Sequence, residues 1–544
     1  MYDQFTTFVN FYYQTKMISH SFLIALVVFL LFLLQLFSYF KRTKKSSPLV
    51  LPYPNSPPAI PIIGHLHLLK PLIHHAFRDL SDRYGPLISL RLGSARFIVV
   101  NTPSLAKEFL KKHEVTFSHR KMNIAINMVV YDDATFAFAP YGTYWKFIKK
   151  LSTTELLGNR TIGQFLPIRT RELQLFIQTL SKKSKSGESV NLTQGLLKLS
   201  NNIISRMMLS IETSGTDNQA EEARALVREI TQLFGEFNVS DFIGVFKNFD
   251  MKGFKKRALD IHTRYDALLE KIISDRENSR RKAKLEGSYE NGEEIVKDFL
   301  DILLDVSEEK DSEVNFTRNH IKSLILDYFT AATDTTAISV EWTISELFNN
   351  PKVLKKAQEE VERVTRNERL VSEADSPDLH YIHAIIKETM RLHPPIPMVM
   401  RKGAEDCEVD GKMIPKGSLV CINTWAMGRD QKIWENPLEF RPERFLESEG
   451  GSSIDIKGHH FELLPFGSGR RGCPGMPLAM RELPTFIGAL VQCFEWKMID
   501  SEGKILGNGK KIDMDERPGL TAPRANDLVC IPVARLNLDP LLQL

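Results

Sequence analysis

The chain has 544 residues, with Lys+Arg 71 against Asp+Glu 67 and a net charge of +4. Hydrophobic residues make up 43% and charged residues 25%, which excludes wholesale disorder and gives no basic surplus of the kind that nucleic-acid binding needs. The five cysteines (407, 421, 473, 493 and 530) include no C-x-x-C pair, so a disulfide framework, a zinc ribbon and a thioredoxin-type site are not expected.

Phe22 to Phe40 is an uncharged run of 19 residues followed by Lys41-Arg42-Thr43-Lys44-Lys45. That is close to the ~20 residues of a membrane-spanning helix, and the basic flank predicts a cytosolic C-terminal side. The run exceeds the ~7–15-residue core of a signal peptide. Ser38-Tyr39-Phe40-Lys41 is also a poor cleavage site. Residues 1–45 are therefore read as a retained single-pass anchor, with Met17 as an alternative start. Residues 46–64 hold six prolines (48, 52, 54, 57, 58 and 61) and read as a stiff spacer. Residues 65–544 are expected to form one body, mainly α with a smaller β part.

Within that body, Leu87 to Asn101 alternates around Gly93-Ser94 and predicts a β-hairpin. Asn315 to Asn350 predicts one long helix, entered through Asn315-Phe316-Thr317 and stopped before Pro351. The charged stretch Ser274–Lys297 reads as a solvated loop or a helix end. Asp410 to Asn423 resumes a β pattern around Gly411, and Asn436 to Gly475 is largely irregular.

Phe466-Gly467-Ser468-Gly469-Arg470-Arg471-Gly472-Cys473-Pro474-Gly475 carries the chemistry. Gly467 to Gly472 spells G-x-G-x-x-G, but no βαβ unit surrounds it, so dinucleotide binding is not expected. The glycines instead let backbone N–H groups approach the Cys473 sulfur. With Arg471 they favour a thiolate, which is a good axial ligand for haem iron.

These residues closely resemble the cytochrome P450 signature F-x-x-G-x-R-x-C-x-G, with Phe466, Gly469, Arg471, Cys473 and Gly475 at every fixed position. The resemblance extends along essentially the whole chain. It implies a single large helical domain binding haem b, with Cys473 as the iron ligand. Glu388-Thr389-Met390-Arg391 matches E-x-x-R, and Arg444 of Pro442-Glu443-Arg444-Phe445 joins that pair in the family as buried structural support. Ala331-Ala332-Thr333-Asp334-Thr335-Thr336 matches the oxygen-activation segment, which implies a proton-delivery role for Thr335 and Asp334. Ala332 stands where the family usually has Gly, so a smaller local kink is expected. Arg120, Arg401 and Arg471 match propionate-binding positions. Trp145 and Lys149 match W-x-x-x-R, with Lys149 departing from arginine and losing its bidentate fork.

The implied reaction takes two electrons and O2. The chain has no flavin or nicotinamide site, so a separate membrane NADPH-cytochrome P450 reductase is the implied partner, and the endoplasmic reticulum the implied location. Pro140 to Lys146, Ala331 to Trp342 and His393 to Met398 resemble the plant flavonoid branch, in particular flavone synthase II and flavanone 2-hydroxylase. That resemblance implies C-2 oxidation of a flavanone in an apolar pocket expected to include Val129, Val130, Phe136, Ala331, Ile396, Met400 and Leu520. Isoflavone synthases tend to carry Ser in place of Thr335 and Lys in place of Met400, and this chain has neither. The rival from another class is a haem protein without catalysis, which needs no proton relay.

Overall fold

The computed structural model describes residues 23, 26–33, 35, 51–210, 218–236, 238–246, 250, 253–286, 296–309, 313–500, 502–507 and 509–542. Of the expected anchor, residues 23, 26–33 and 35 are helical and exposed, and the rest of 1–50 lies outside the described residues. Among the described residues no helix is long and apolar enough to cross a membrane.

Helices dominate, and β-structure is confined to three small sheets. The expected hairpin is β1 (Leu87–Leu92) and β2 (Ala95–Val100), paired antiparallel through Leu92↔Ala95. Gly93 turns between them at φ 58°, a left-handed conformation open to glycine. β3 is Val190–Asn191, β4 Val399–Lys402, β5 Cys407–Val409, β6 Lys412–Ile414, β7 Leu419–Ile422, β8 Phe494–Met498 and β9 Val529–Ala534. The largest sheet runs β1-β2-β7-β4, with β2 and β7 parallel. The others are β3-β9-β8 and the hairpin β5-β6.

The described part of the proline-rich segment does not stand away from the body as a spacer. Ser89 N–H donates to Asn55 O at 2.7 Å and Gly64 bridges Leu92, so the segment from Asn55 to Gly64 touches the open edge of β1 at both ends, while Met413 N–H of β6 donates to Pro52 O at 3.0 Å. An edge strand exposes unpaired backbone groups, and this segment covers them. The charged stretch beginning at Ser274 continues the helix Phe254–Leu285, and residues 287–295 lie outside the described set.

The long helix spans Arg318–Asn349, entered through a Thr317–His320 capping box. It is buried on all sides over most of its length, the pattern of a helix central to a large domain. Four of its hydroxyls bond their own backbone one turn back. Thr330 donates to Leu326 O, Ser339 to Thr335 O, Thr343 to Ser339 O and Ser345 to Glu341 O. The helices Leu192–Leu209, His380–Leu392 and Met476–Cys493 share one hydrophobic core with it. Smaller cores lie on the two faces of the four-stranded sheet.

Candidate active site

The Phe466–Gly475 loop delivers Cys473 to the start of the helix Met476–Cys493. Gly467 and Gly469 hold φ values of 68° and 69°, and Cys473 N–H closes the loop onto Phe466 O at 2.9 Å. The N–H groups of Gly475 and Met476 point to the sulfur. A Cβ on Gly475 would stand 3.7 Å from Sγ. The Cys473 side chain is exposed, yet burial is the largest influence on its thiol, as expected of a sulfur opening onto interior space. That burial raises the thiol's pKa, and the two N–H groups, Lys149 and Arg120 only moderate the rise. The donors thus favour the charged sulfur while desolvation opposes it.

Arg471 does not assist the sulfur. Its guanidinium donates to the carbonyls of Ser118 at 2.7 Å, Phe136 at 3.2 Å and Ala139, and lies 4.4 Å from the Trp145 ring centroid. The Trp145 indole N–H is held by Phe136 O at 3.2 Å, and Lys149 Nζ donates to Gly472 O at 3.1 Å. Arg120 donates to Ala137 O and Arg401 to Met400 O. Burial lowers the pKa of each of these cations, and mutual repulsion adds to it at Lys149, Arg401 and Arg471, with Arg471 pushed down to about 9. The nearby carboxyls are already engaged. Asp327 accepts from Thr135 Oγ1 at 2.8 Å and Phe136 N–H at 2.6 Å, and burial pushes it up to about 6. Glu114 accepts from Arg470.

On the long helix, Ala331 is exposed and Thr335 half-buried, between the buried runs 321–326 and 336–347. The helix continues unbroken past Ala332. Thr335 Oγ1 donates to Ala331 O at 2.7 Å. Burial pushes Asp334 up to about 6 against the pull of Arg228 and Arg517. Ile396 and Leu520 are 41% and 45% exposed although both are apolar. Their segments are tied together, since Ala522 N–H donates to Pro395 O at 2.9 Å and Trp342 Nε1 donates to Ala522 O at 2.9 Å. Phe136 is half-buried and stacks on Trp145, and Met400 is half-buried against the sheet. Val129 and Val130, expected in the pocket, are instead 0% and 5% exposed and belong to the main core.

Glu388 and Arg391 pair bidentately at 2.7 and 2.8 Å with fully buried side chains, and Arg444 Nε reaches Glu388 at 3.0 Å. Arg391 also donates to the carbonyls of Gly428, Pro437 and Glu439.

A family model described as Cytochrome P450 matches residues 54–523. The chain belongs to the cytochrome P450 family. This cytochrome P450 is 73% identical over 530 residues to "Cytochrome P450 93B16" of Glycine max, covering 97% of this chain and 100% of the relative. It is 56% identical over 519 residues to "Cytochrome P450 93B2" of Gerbera hybrida, covering 94% and 98%. A 2-hydroxyisoflavanone synthase of Glycyrrhiza echinata is 45% identical over 520 residues, again covering 94% and 98%. A zebra fish cytochrome P450 solved with progesterone superposes with a TM-score of 0.67 at 24% identity, over 84% of this chain and 99% of that one, and shares the fold.

The family implies haem with cysteine ligation, and the residues of this cytochrome P450 fit that group. Two buried cations, Arg401 and Arg471, and two half-buried ones, Arg120 and Lys149, lie near one another with no ion pair to a carboxylate among the described residues, which suits a ligand bearing two carboxylates. The sulfur opens onto the interior beside a glycine that leaves it room. Arg120, Lys149, Arg401 and Arg471 would hold the carboxylates, and Cys473 the iron. The sequence reading missed Asp327. It clamps the Thr135–Ala137 turn, whose carbonyls orient Arg120 and Arg471, to the long helix.

Proposed function

We propose that this cytochrome P450 oxidises flavanones at C-2 and yields flavones, directly or through 2-hydroxyflavanones. The observation that carries this reading is the exposed apolar surface of Ala331, one turn before the Thr335 hydroxyl, and of Ile396 and Leu520, whose segments are joined to each other and to the long helix through Ala522. Such a surface suits a flat, mostly apolar phenol with few polar contacts. Met400 and Thr335 support C-2 over aryl-migrating C-3 chemistry, because the isoflavone-forming relatives tend to carry Lys and Ser there. Identity to the named 2-hydroxyisoflavanone synthase, 45%, is also lower than to the 93B cytochromes P450, 73% and 56%.

Bound haem supplies reductive activation of O2 at a C–H bond. The protein supplies the rest. Cys473 would hold the iron through its sulfur, and the N–H groups of Gly475 and Met476, which point to that sulfur, would stabilise a negative charge on it. Arg120, Lys149, Arg401 and Arg471 would hold the carboxylates of the ring. Thr335 Oγ1 holds a proton at the face of the long helix, and Asp334 resupplies it from the side of Arg228 and Arg517. Ile396 and Leu520 exclude water from the substrate's reacting edge. The same reading anchors the chain in the endoplasmic reticulum membrane through Phe22–Phe40, with the catalytic domain in the cytosol. A membrane NADPH-cytochrome P450 reductase provides the electrons.

The test is product analysis. Microsomes bearing the full chain and a plant reductase receive naringenin and NADPH and are assayed before and after acid. Flavone without acid identifies a synthase, and flavone only after acid a 2-hydroxylase. An isoflavone, or no turnover beside a normal reduced-carbon-monoxide spectrum, overturns the substrate assignment.

A further inference from the structure

Away from the cation cluster, three ligand-bearing side chains converge where the first turn of the helix Ile73–Tyr84 meets the loop that carries Leu520. His74 Nε2 lies 2.6 Å and His75 Nε2 3.6 Å from the same carboxylate oxygen of Glu516. The three ligand atoms fall within 4.8 Å of one another, and no other such group occurs among the described residues.

Successive helical residues project about 100° apart and do not normally address one atom. Here both imidazoles do, with ring centroids 4.7 Å apart and His75 stacked 4.0 Å from Trp425. Hydrogen bonding accounts for only one of them. The His74 contact satisfies that oxygen of Glu516, whereas His75 Nε2 is buried with no hydrogen-bond partner, and 3.6 Å is too long for one. The surroundings orient the group independently of the imidazoles. Trp425 Nε1 donates to the other Glu516 oxygen at 2.8 Å, and Asn423 donates to His74 O at 2.8 Å. Such outer contacts fix ligands in metal sites.

We propose that His74, His75 and Glu516 form a binding site for a divalent transition cation of the zinc class, with solvent completing the coordination. Bonds of about 2.0–2.2 Å place tetrahedral ligand atoms about 3.3 Å apart, so His74 retreats by about 0.7 Å and His75 closes by about 0.3 Å. The His75 side chain is 36% exposed and opens the entry path, whereas His74 and Glu516 are buried. The donor set is a carboxylate with two imidazoles, suited to zinc. Arg429 Nη2 stands 4.0 Å from Glu516 and opposes a second cation, so micromolar rather than structural-zinc affinity is expected. Occupancy ties the helix Ile73–Tyr84 to the base of the Leu520 loop and touches none of the cation cluster.

The test uses the untagged full chain, haem-loaded, in nanodiscs. Zn²⁺ titrated by calorimetry is expected to bind with one-to-one stoichiometry and micromolar affinity. Zinc-edge absorption is expected to report two imidazoles and one carboxylate. His75→Ala and Glu516→Gln are expected to weaken binding about tenfold or more while the reduced-carbon-monoxide spectrum is kept. Should Glu516→Gln fail to fold, His75→Ala, at the partly exposed rim, decides alone. Binding only in the millimolar range, or binding unchanged in His75→Ala, overturns the site.

Discussion

Under the proposed function, Thr335 is the residue on which oxygen chemistry turns. Its hydroxyl proton is given to Ala331 O at 2.7 Å, which leaves the oxygen's lone pairs free to accept from a neighbour. A Thr335→Ala substitution removes that relay point without touching Cys473 or the cations. The variant is expected to bind haem and show the ordinary thiolate spectrum while product per NADPH falls by about tenfold or more and peroxide rises. Thr335→Ser is expected to restore most of the coupling. Unchanged coupling in the alanine variant removes the residue from proton delivery. Cys473 is a different case, because under the proposed function it is the residue that would hold the haem iron. Cys473→Ala is expected to abolish the thiolate spectrum, and a retained spectrum refutes the ligand assignment. The sequence motif made the buried Glu388–Arg391–Arg444 network legible. Asp327 was not, because a lone aspartate in a helix reads the same whether it faces water or clamps a buried turn.

At the scale of elements, the ion network of Glu388 joins the helix His380–Leu392 to the irregular segment that precedes the cysteine loop. Glu388 accepts from Arg391 and Arg444 and from the backbone N–H of Arg441 at 2.8 Å. Segment 436–445 has little regular hydrogen bonding of its own, so these arginines and their carbonyl partners hold it in place. Glu388→Gln leaves two buried guanidiniums facing a neutral amide, a loss expected to cost about 3–5 kcal/mol. The expected outcome is chain that expresses but incorporates little haem, measured as the thiolate spectrum per milligram of protein. Normal incorporation shows that the carbonyls alone hold the segment. The start and stop of the long helix and the β1–β2 hairpin were legible because caps, prolines and alternation are local signals. The placement of residues 55–64 on the edge of β1 was not, since a proline-rich stretch reads the same whether it is docked or free.

Across the whole molecule, several buried acids share one behaviour. Burial pushes Asp327 and Asp334 up to about 6, Glu341 to about 7 and Glu482 to about 8. A carboxyl with a raised folded pKa binds more protons in the native state than in the unfolded one across the interval between its two values. Stability from this set is therefore greatest on the acid side and lost as pH rises through about 6 to 8. The lowered carboxyls, Asp375, Glu270 and Glu516, act in the opposite sense, and their contribution is lost only as pH falls below the ordinary carboxylate range. Glu482 separates the two effects best, because it lies outside the active site, beside the Arg169–Glu373 pair, with the nearby Glu373 adding to the rise and Arg169 opposing it. Glu482→Gln keeps the shape and removes the ionisation. It is expected to leave the thermal midpoint unchanged near pH 5 and to raise stability on the order of 2 kcal/mol at pH 8, which flattens the alkaline slope. Equal slopes for the two proteins would show that Glu482 stays ionised in the fold, with Arg169 rather than desolvation deciding its charge.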